Sequence, residues 1–436
     1  MFNYIRLKNF KSLVDLSFDF SRAENNLILI YGENGVGKSN LSAAFLALSE
    51  FMRTMEMRDI IQSLLLQFKD RSREEAIDKL IRSHFRDTQS IIDSNKTLSI
   101  DGNMVLEFGF SIEKKKGVYI IETNNEEIVH ERLEFTLAKN KGLYFDLTSQ
   151  EKKINESIFV DKLYYQEVIG SIEKFWGKHS LLAILNYDRI DKARNYLDKR
   201  LSQSFLKVMN EFISLTCKVK NGSDGELGIL GYKHRVLTNL DSGEILKNQE
   251  AELDQSEQIL NLYLCQVVKD IAGVYYKRKY SDEKIKYELF IKKRMFGQIV
   301  DVAFNLESTG IQAMVEILPF LAAAIHGATV VIDEIDTGIH DLSIQRLIQS
   351  VLPVIKGQLI VTTHNTRLME SDLNDSCFYI FTRDDNAMKT IRSIRDVGKR
   401  IQPHHNRRDQ YLKGVYNGIP APEMVDFTAI KDILQL

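Results

Sequence analysis

The stretch that decides the fold is Gly32-Glu33-Asn34-Gly35-Val36-Gly37-Lys38-Ser39, which matches the phosphate-loop pattern G-x-x-x-x-G-K-S/T at every fixed position. Before it, residues 27–30 read Leu-Ile-Leu-Ile, an uninterrupted apolar run that is typical of a buried parallel strand. After it, apolar residues recur at helical spacing at Leu41, Ala44, Phe45 and Leu48. A strand, a glycine-rich loop and a helix in this order predict a backbone whose N–H groups wrap around phosphate groups.

Each part of this loop is expected to have its own task. The ammonium of Lys38 should reach the β- and γ-phosphates of a nucleotide, and the Ser39 hydroxyl should ligate Mg²⁺. The glycines keep side chains away from the backbone that binds the phosphates. The predicted nucleotide-binding residues are Gly32, Glu33, Asn34, Gly35, Val36, Gly37, Lys38, Ser39 and Asn40.

A second informative stretch is 328–336, Ala-Thr-Val-Val-Ile-Asp-Glu-Ile-Asp, an apolar strand that ends in carboxylates. Beside a phosphate loop, Asp333 is expected to hold the metal, and Glu334 to act as general base or to polarise the attacking water. Taken alone, the same pattern also fits a strand end with solvated acids. Together with the phosphate loop it favours nucleotide hydrolysis.

Two further stretches add candidate residues. Residues 359–364 read Leu-Ile-Val-Thr-Thr-His, and an imidazole at this strand end, His364, is placed to hydrogen-bond the γ-phosphate. A lone histidine is more often structural. Residues 306–312 mark a strand end that turns into a helix, with Ser308 as N-cap and Gly310 allowing close approach. This helix start could bind a phosphate, or it could be an ordinary capped helix.

Taken together, these residues resemble the ABC-type ATPases of the RecF/SMC branch, often labelled AAA family ATPases in bacterial genomes. The motif order is the same: N-terminal strands around 5–12, phosphate loop, long insertion, signature, Walker B carboxylates and switch histidine. The resemblance implies an α/β P-loop NTPase fold. Its ABC/SMC-like head would be built from both chain ends, with a parallel core sheet, antiparallel strands and a mainly helical insertion. It also implies ATP and Mg²⁺ as cofactors, with Lys38, Glu334 and His364 as catalytic residues.

In that family the signature of one subunit contacts the ATP held by another. Here the trans signature would be Ser308-Thr309-Gly310, a shortened form of LSGGQ, and the D-loop would include Asp336 and His340. The resemblance therefore implies a homo-oligomer, at least a dimer, that closes head to head on ATP. Two features depart from the family. His340 stands where SMC proteins usually have aspartate, and the insertion lacks the long heptads of a coiled-coil arm.

The closer resemblance is to short stand-alone ATPases of bacterial anti-phage and abortive-infection systems. They tend to show the DEID…H arrangement seen at 333–364 and a tail similar to residues 407–420. This resemblance implies a sensor or scaffold that controls a separate effector, commonly a nuclease. Two alternatives stay open: a RecF-like DNA-repair ATPase, and a nucleotide-gated oligomeric scaffold with negligible turnover.

The motifs divide the chain into segments. The predicted division is 1–50 for the N-terminal part of the head, 51–97 for a helical segment, 98–148 for antiparallel strands of the head, 149–275 for a mainly helical insertion, 276–400 for the C-terminal part of the head, and 401–436 for a tail. Within the C-terminal part, strands are expected at 285–292 and 298–306.

Composition sets limits on the class of protein. The 436 residues carry 58 basic and 60 acidic side chains, a net charge of −2, which argues against a nucleic-acid or membrane footprint over the whole chain. No run of about 18 uncharged apolar residues predicts a membrane span. Three scattered cysteines favour free, buried thiols in a reducing cytoplasm.

One segment has a local excess of positive charge. Residues 271–300 contain eight basic and three acidic residues, with four tyrosines between them. Such a segment could contact the backbone of DNA. It could equally be a solvated strand pair whose lysines protect an edge.

Overall fold

The core of the molecule is a mainly parallel sheet with strands from both ends of the chain. The computed structural model describes residues 1–23, 26–56, 58, 86–98, 100–136, 141–192, 195–220, 226–231, 239–396, 406–419 and 427–434. The core strands, in spatial order, are β10 (Glu226–Ile229), β9 (Thr216–Lys220), β15 (Thr329–Ile332), β16 (Gln358–Thr362), β3 (Leu27–Gly32), β17 (Phe378–Arg383) and β18 (Lys389–Ser393). All but β10 and β18 run parallel. The predicted α/β head built from both chain ends is confirmed.

Both faces of this sheet are buried, which is why its strands read as continuous apolar runs. Alternate residues enter two different hydrophobic clusters. Ile28 and Ile30 point to the cluster that contains α1 (Lys38–Phe51). Leu27 and Leu29 point to the cluster that contains α7 (Thr309–His326) and α8 (Asp341–Val351).

The second sheet is antiparallel and covers α1 from the other side. Its strands, in spatial order, are β2 (Leu13–Asp19), β1 (Phe2–Phe10), β4 (Met104–Ile112), β5 (Lys115–Thr123), β6 (Ile128–Thr136), β7 (Lys141–Thr148) and β8 (Lys152–Ile154). Phe2 lies where this sheet contacts α1, with its ring 5.5 Å from that of Phe45 on α1 and 5.6 Å from that of Phe108 on β4. Helix α1 is therefore sandwiched between two sheets.

A third, smaller sheet precedes the signature region. It consists of β11 (Ser242–Leu246), β12 (Ile271–Tyr280), β13 (Lys284–Met295) and β14 (Gln298–Ala303), where β11 and β14 share one edge of the long β13. Helix α6 (Glu250–Val267) packs on one face of it. The predicted strand pair is present, although β14 ends three residues before the expected 306.

Helix α7 connects the third sheet to the core. Among the described residues, it alone is long and apolar enough to cross a membrane by length and composition, but 56% of it is buried inside the protein. Met314 and Ile317 pack against the core sheet, whereas Val315 and Leu318 pack against the third sheet. Its apolar character is that of a helix buried between two sheets.

The segment 149–275 has more helical than strand residues, in line with the mainly helical prediction, but it also contains strands that were not predicted. It contains the helices α3 (Lys162–Phe175), α4 (Leu181–Asp191), α5 (Gln203–Ile213) and α6. It also supplies β9 and β10, which extend the core sheet beside β15. The sequence Thr-Cys-Lys-Val-Lys of β9 is too short for its period to be recognised among helices.

Other predictions about the segments have mixed outcomes. Most of 51–97 lies outside the described residues; α2 (Thr88–Asn95) is its described helix. In the tail, α9 (Arg407–Leu412) and α10 (Phe427–Leu434) are described, and Tyr411 packs its ring 5.8 Å from that of Tyr31 on β3. Cys217 and Cys377 are buried, but Cys265 is exposed, so the prediction of burial is wrong for that residue.

Candidate active site

The sequence motifs meet at one edge of the core sheet. β3, β15, β16, β9 and β17 are parallel, so their carboxyl ends lie on the same side. The phosphate loop follows β3, the two carboxylates follow β15, and His364 follows β16. In open α/β sheets, ligands bind outside the carboxyl ends of the strands.

The phosphate loop depends on its glycines at two positions. Gly32 has a φ of 154°, and a Cβ atom there would lie 2.5 Å from the Phe381 carbonyl oxygen. Gly37 has a φ of 120°, and a Cβ atom would lie 3.0 Å from the Leu13 side chain. Any larger residue would therefore be strained and would push the loop away from β17 and β2.

Lys38 is held inside the loop. Its ammonium donates to the carbonyl oxygens of Gly32 (2.8 Å) and Glu33 (3.0 Å), and the residue is buried. Burial lowers the pKa of Lys38, and the carboxylates of Asp333 and Glu334 oppose that shift. The loop thus holds a cation close to the two carboxylates.

Asp333 is the buried carboxylate of the site, with 3% of its surface exposed. Its Oδ1 accepts hydrogen bonds from the hydroxyls of Thr362 (2.6 Å) and Ser42 (3.5 Å). Its Oδ2 is buried and has no hydrogen-bond partner among the described residues. Burial raises the pKa of Asp333, while hydrogen bonds from Thr362 and Ser39 lower it. An unpartnered buried carboxylate oxygen can accept a hydrogen bond from water or coordinate a metal ion.

The residues around that oxygen fit Mg²⁺. The Ser39 hydroxyl is close enough to Asp333 to lower the pKa of that carboxyl, so a hydroxyl and a carboxylate lie in one small space. Mg²⁺ usually takes one or two protein oxygen ligands and completes its shell with water and substrate phosphates. In the described part of the chain, no cluster of three or more His, Cys, Asp or Glu could hold a metal unaided. The donor set therefore suits a metal that arrives with the nucleotide.

Glu334 is held in a strained backbone conformation. Its φ is +48°, in the left-handed region, which costs about 1–3 kcal/mol for a residue of this type. Its N–H donates to the hydroxyl oxygen of Thr362 (2.8 Å), and the N–H of Ile335 donates to the Thr362 carbonyl (3.2 Å). Thr362 therefore fixes both Asp333 and Glu334. In the sequence, this threonine is recognisable only as part of an apolar strand.

Lys220 is a further residue of the candidate site, and no motif in the sequence marks it. It is the last residue of β9 and forms an ion pair with Glu334. Its ammonium also donates to the hydroxyl of Thr337 (3.3 Å). The hydrogen bond from Lys220 is the largest cause that lowers the pKa of Glu334, and burial opposes it. The cation keeps the Glu334 carboxylate deprotonated and fixes its direction.

His364 lies at the mouth of the site. Its side chain is exposed, and its backbone N–H donates to Asp336 Oδ2 (3.2 Å). Partial desolvation of the ring, and then the nearby Lys38, lower the pKa of His364. A neutral imidazole in this position can donate one hydrogen bond to a phosphate oxygen.

The residues predicted to form the signature and the D-loop lie close together within one chain. Ser308 caps α7 by accepting from the N–H of Ile311 (3.5 Å), and both Ser308 and Thr309 are exposed. A Cβ atom on Gly310 would lie 3.0 Å from the Gly338 carbonyl oxygen. Gly310 therefore has a packing reason to be glycine, besides any approach to phosphate.

His340, which departs from the family pattern, has a local role. Its ring Nδ1 accepts from the N–H of Leu342 (3.2 Å), so it caps α8. An aspartate at the same position could cap the helix in the same way. A histidine in place of the aspartate therefore still caps the start of α8.

The basic residues of 271–300 are partly neutralised. Arg278 pairs with Glu250, Asp254 and Glu257, and Lys293 pairs with Glu307 and Asp270. The opposite face of the sheet carries stacked rings of Tyr275 and Phe290, 5.7 Å apart. The exposed basic residues on this face are Lys277, Lys279, Lys284 (which pairs with Glu244), Lys286, Lys292 and Arg294.

A phosphate loop beside two strand-end carboxylates, in a parallel sheet, defines a P-loop ATPase. The chain belongs to the AAA ATPase domain family, whose model matches residues 1–369. It is therefore a nucleotide-binding enzyme that hydrolyses ATP. No curated protein has significant sequence similarity to it.

The chain has low similarity to solved structures of SMC heads. An SMC head bound to the C-winged helix domain of ScpA is 14% identical with a TM-score of 0.39, over 90% of this chain and 97% of that one. The SMC head domain from Thermotoga maritima is 15% identical with a TM-score of 0.37, over 90% and 98%. A Pyrococcus furiosus SMC head with an extended coiled coil, bound to the C-terminal domain of ScpA, is 13% identical with a TM-score of 0.39, over 90% and 96%. At these values the similarities carry no functional argument.

Proposed function

We infer that this ATPase is a switch in which two ABC-type heads close around ATP and Mg²⁺ and reopen after hydrolysis. The observation that carries the proposal is the meeting of a phosphate loop, a buried carboxylate with an unpartnered oxygen and a strained second carboxylate at one sheet edge. Strain at a residue that is not glycine is typical of functional sites.

Each residue then has a role. Lys38 and the loop N–H groups bind the phosphates, and Ser39 and Asp333 would hold the Mg²⁺, which supplies charge stabilisation for the transferred phosphate. Glu334 takes a proton from, or polarises, the attacking water. His364 donates a hydrogen bond to the terminal phosphate. Lys220 positions Glu334 through their ion pair.

Head-to-head closure is supported by the surface around the signature. Ser308 and Thr309 are exposed at the N-terminus of α7, which attracts phosphate. Leu306, two residues earlier, is a large apolar side chain that is 76% exposed. A polar helix start beside an exposed leucine suits contact with the nucleotide-bearing face of a second copy.

The test is the mass of purified Glu334→Gln protein by light scattering, with and without ATP and Mg²⁺. The variant should bind ATP but turn it over slowly, so closed dimers accumulate and the mass doubles. Ser308→Arg in the same background should abolish the doubling, because a bulky cation blocks the helix start. A mass that never responds to ATP would overturn closure, although hydrolysis by the separate heads would remain.

The biological role that we propose is in anti-phage defence. We place the protein in the bacterial cytoplasm as the sensor or scaffold of an anti-phage system that controls a separate effector, on the resemblance of residues 333–364 and 407–420. The test is infection of cells that carry the chain with its neighbouring genes. Wild type should protect and Lys38→Ala should not; equal plaque counts would reject the role.

The exposed face of the third sheet favours one alternative, a RecF-like ATPase that binds DNA. Stacked Tyr275 and Phe290 beside Lys277 and Lys292 form a platform of the kind that contacts nucleic acid. Retention of DNA by the protein alone, in the presence of ATP, would support this alternative. Loss of retention in Lys277→Glu would locate the contact.

The other alternative is a nucleotide-gated scaffold whose turnover does not matter. Two variants separate it from the switch. In a scaffold, Glu334→Gln keeps biological function and Lys38→Ala abolishes it. In a switch, both variants abolish function, because reopening needs hydrolysis.

A further inference from the structure

The phosphate loop is flanked by a second group of cations, on the side away from the catalytic carboxylates. β3 lies between β16 and β17 in the core sheet, so β16 with β15 and the β17–β18 hairpin flank the loop from opposite sides. Arg383, the last residue of β17, pairs in register with Lys389, the first residue of β18. Both residues therefore lie at the same edge of the sheet as the loop.

Lys389 lies beside the start of α1. Its ammonium donates to Ser12 Oγ (2.6 Å), and the side-chain amide of Asn40 donates to the same oxygen (2.6 Å). A Cβ atom on Gly37 would come within 3.6 Å of the Lys389 ammonium. The cation is thus next to the backbone N–H groups at a helix N-terminus, where phosphate oxygens bind.

Within the described ranges of the chain, the two cations on this side of the loop have one ion-pair partner between them, which is Glu33. Arg383 pairs with Glu33 of the loop at 2.7 Å. Among the described residues, no carboxylate lies within ion-pair distance of Lys389, whose hydrogen-bond partner is a neutral hydroxyl. Burial, and then Arg383, lower the pKa of Lys389. A lysine that is held close to a phosphate loop without its own counter-charge suits an anionic ligand.

We propose that Lys389 binds the α-phosphate of the nucleotide, with Ser12 and Asn40 orienting its ammonium. Asp333 and Glu334 place the metal and the transferred phosphate on the β15 side of the loop. The phosphate chain then runs across the loop toward β17 and β18. The α-phosphate is the last phosphate on that side, next to the ribose.

The inference rests on the proposed nucleotide site but not on head closure, and binding tests it without turnover. Calorimetric titrations of the full chain with Glu334→Gln would use ATP–Mg²⁺ and ADP–Mg²⁺ as separate probes. Lys389→Ala should weaken both nucleotides by the same factor, about 10- to 100-fold, because each carries the α-phosphate. Lys389→Arg should bind nearly as well as the parent, since a cation is kept.

Two control variants distinguish the Lys389 contact from a general effect of surface charge and from loss of the whole site. Arg392→Ala removes an exposed cation from the same strand and should leave both affinities unchanged. Unchanged binding in Lys389→Ala would overturn the inference, as would a loss confined to ATP, which would place the ammonium at the γ-phosphate. An equal loss of nucleotide affinity in Arg392→Ala would show that the surface charge, and not a contact with Lys389, causes the loss in Lys389→Ala. Lys38→Ala tests the site itself: normal binding there would reject the site, and not only the role of Lys389.

Discussion

Two buried carboxylates in this molecule, Glu131 and Asp333, differ in how completely their oxygens are hydrogen-bonded. Glu131 on β6 is fully buried and accepts from the Tyr119 hydroxyl (2.7 Å), the Trp176 ring N–H (2.9 Å) and the Leu181 N–H (2.7 Å). Asp333 is almost as buried, but one of its oxygens has no partner among the described residues. Both oxygens of the Glu131 carboxylate are hydrogen-bonded, whereas one oxygen of the Asp333 carboxylate is not.

The difference indicates what each carboxylate is for. Burial raises the pKa of both residues, so each tends toward its neutral form. At Glu131 the donors from β5, from Trp176 directly after α3, and from α4 offset that cost and tie these elements together. At Asp333 the missing partner lies where a metal and a phosphate would bind. We therefore expect variants near Asp333 to change catalysis and variants at Glu131 to change stability.

Glu334→Gln should give the largest effect on hydrolysis. The amide keeps the size of the side chain but cannot act as a base, so kcat should fall about 10²- to 10⁴-fold. ATP affinity should stay close to that of wild type. Steady-state ATPase assays with Mg²⁺, together with nucleotide titrations, measure the two quantities. A kcat within twofold of wild type would assign the base to another residue.

Asp333→Asn should follow, with a kcat loss of about 10²- to 10³-fold, because a misplaced metal forfeits several kcal/mol of charge stabilisation. The same change removes a buried charge, so thermal stability without nucleotide should not fall. Calorimetric melting measures this stability. If Asp333→Asn melts several degrees below wild type and still hydrolyses ATP, the contrast with Glu131 is wrong.

Lys220→Ala should have a smaller effect on catalysis, about tenfold in kcat with an unchanged KM, because it misaligns Glu334 without removing it. Lys220→Arg keeps a cation and should restore most of the rate. Lys218→Ala is the matched control, since it lies two residues earlier on the same strand and pairs with Glu316. If kcat fell equally in Lys218→Ala and Lys220→Ala, Lys220 would only stabilise the strand and would not position Glu334.

The centre of the site was predictable because each motif is contiguous in sequence. The phosphate loop, the carboxylate pair and the strand before His364 each show an apolar run followed by chemistry-bearing residues. The antiparallel strands were predictable from their alternation. The unpartnered oxygen of Asp333 and the strain at Glu334 were not, because they depend on Thr362 reaching across from a neighbouring strand.

The two flanks of the site could not be predicted from local patterns. Lys220 is 114 residues from Glu334, and Lys389 is 377 residues from Ser12. Each lies on a strand of five residues whose position is fixed by pairing within the core sheet. A short strand with lysines reads as a solvated edge until its neighbours are known.

Glu131→Gln should change catalysis least and stability most. The amide N–H₂ would face N–H groups that now donate to the second carboxylate oxygen, and two donors cannot hydrogen-bond each other. The free energy of unfolding should therefore fall by about 1–3 kcal/mol while kcat stays unchanged. Glu126→Gln, an exposed change in the preceding turn, is the control and should leave both unchanged. Melting temperatures and ATPase rates of the three proteins test this directly.

The difference in stability between wild type and Glu131→Gln should depend on pH. Burial raises the pKa of Glu131 from 4.5 to about 6, so the folded state holds a proton over a range in which the unfolded state has released it. Wild type therefore loses stability as pH rises through this range, whereas Glu131→Gln has no such proton to release. The melting-temperature gap between the two proteins should be widest near pH 4.5 and should narrow until about pH 6. A gap that widens with pH would mean that the three donors hold Glu131 ionised in the fold, and that its hydrogen bonds outweigh its burial.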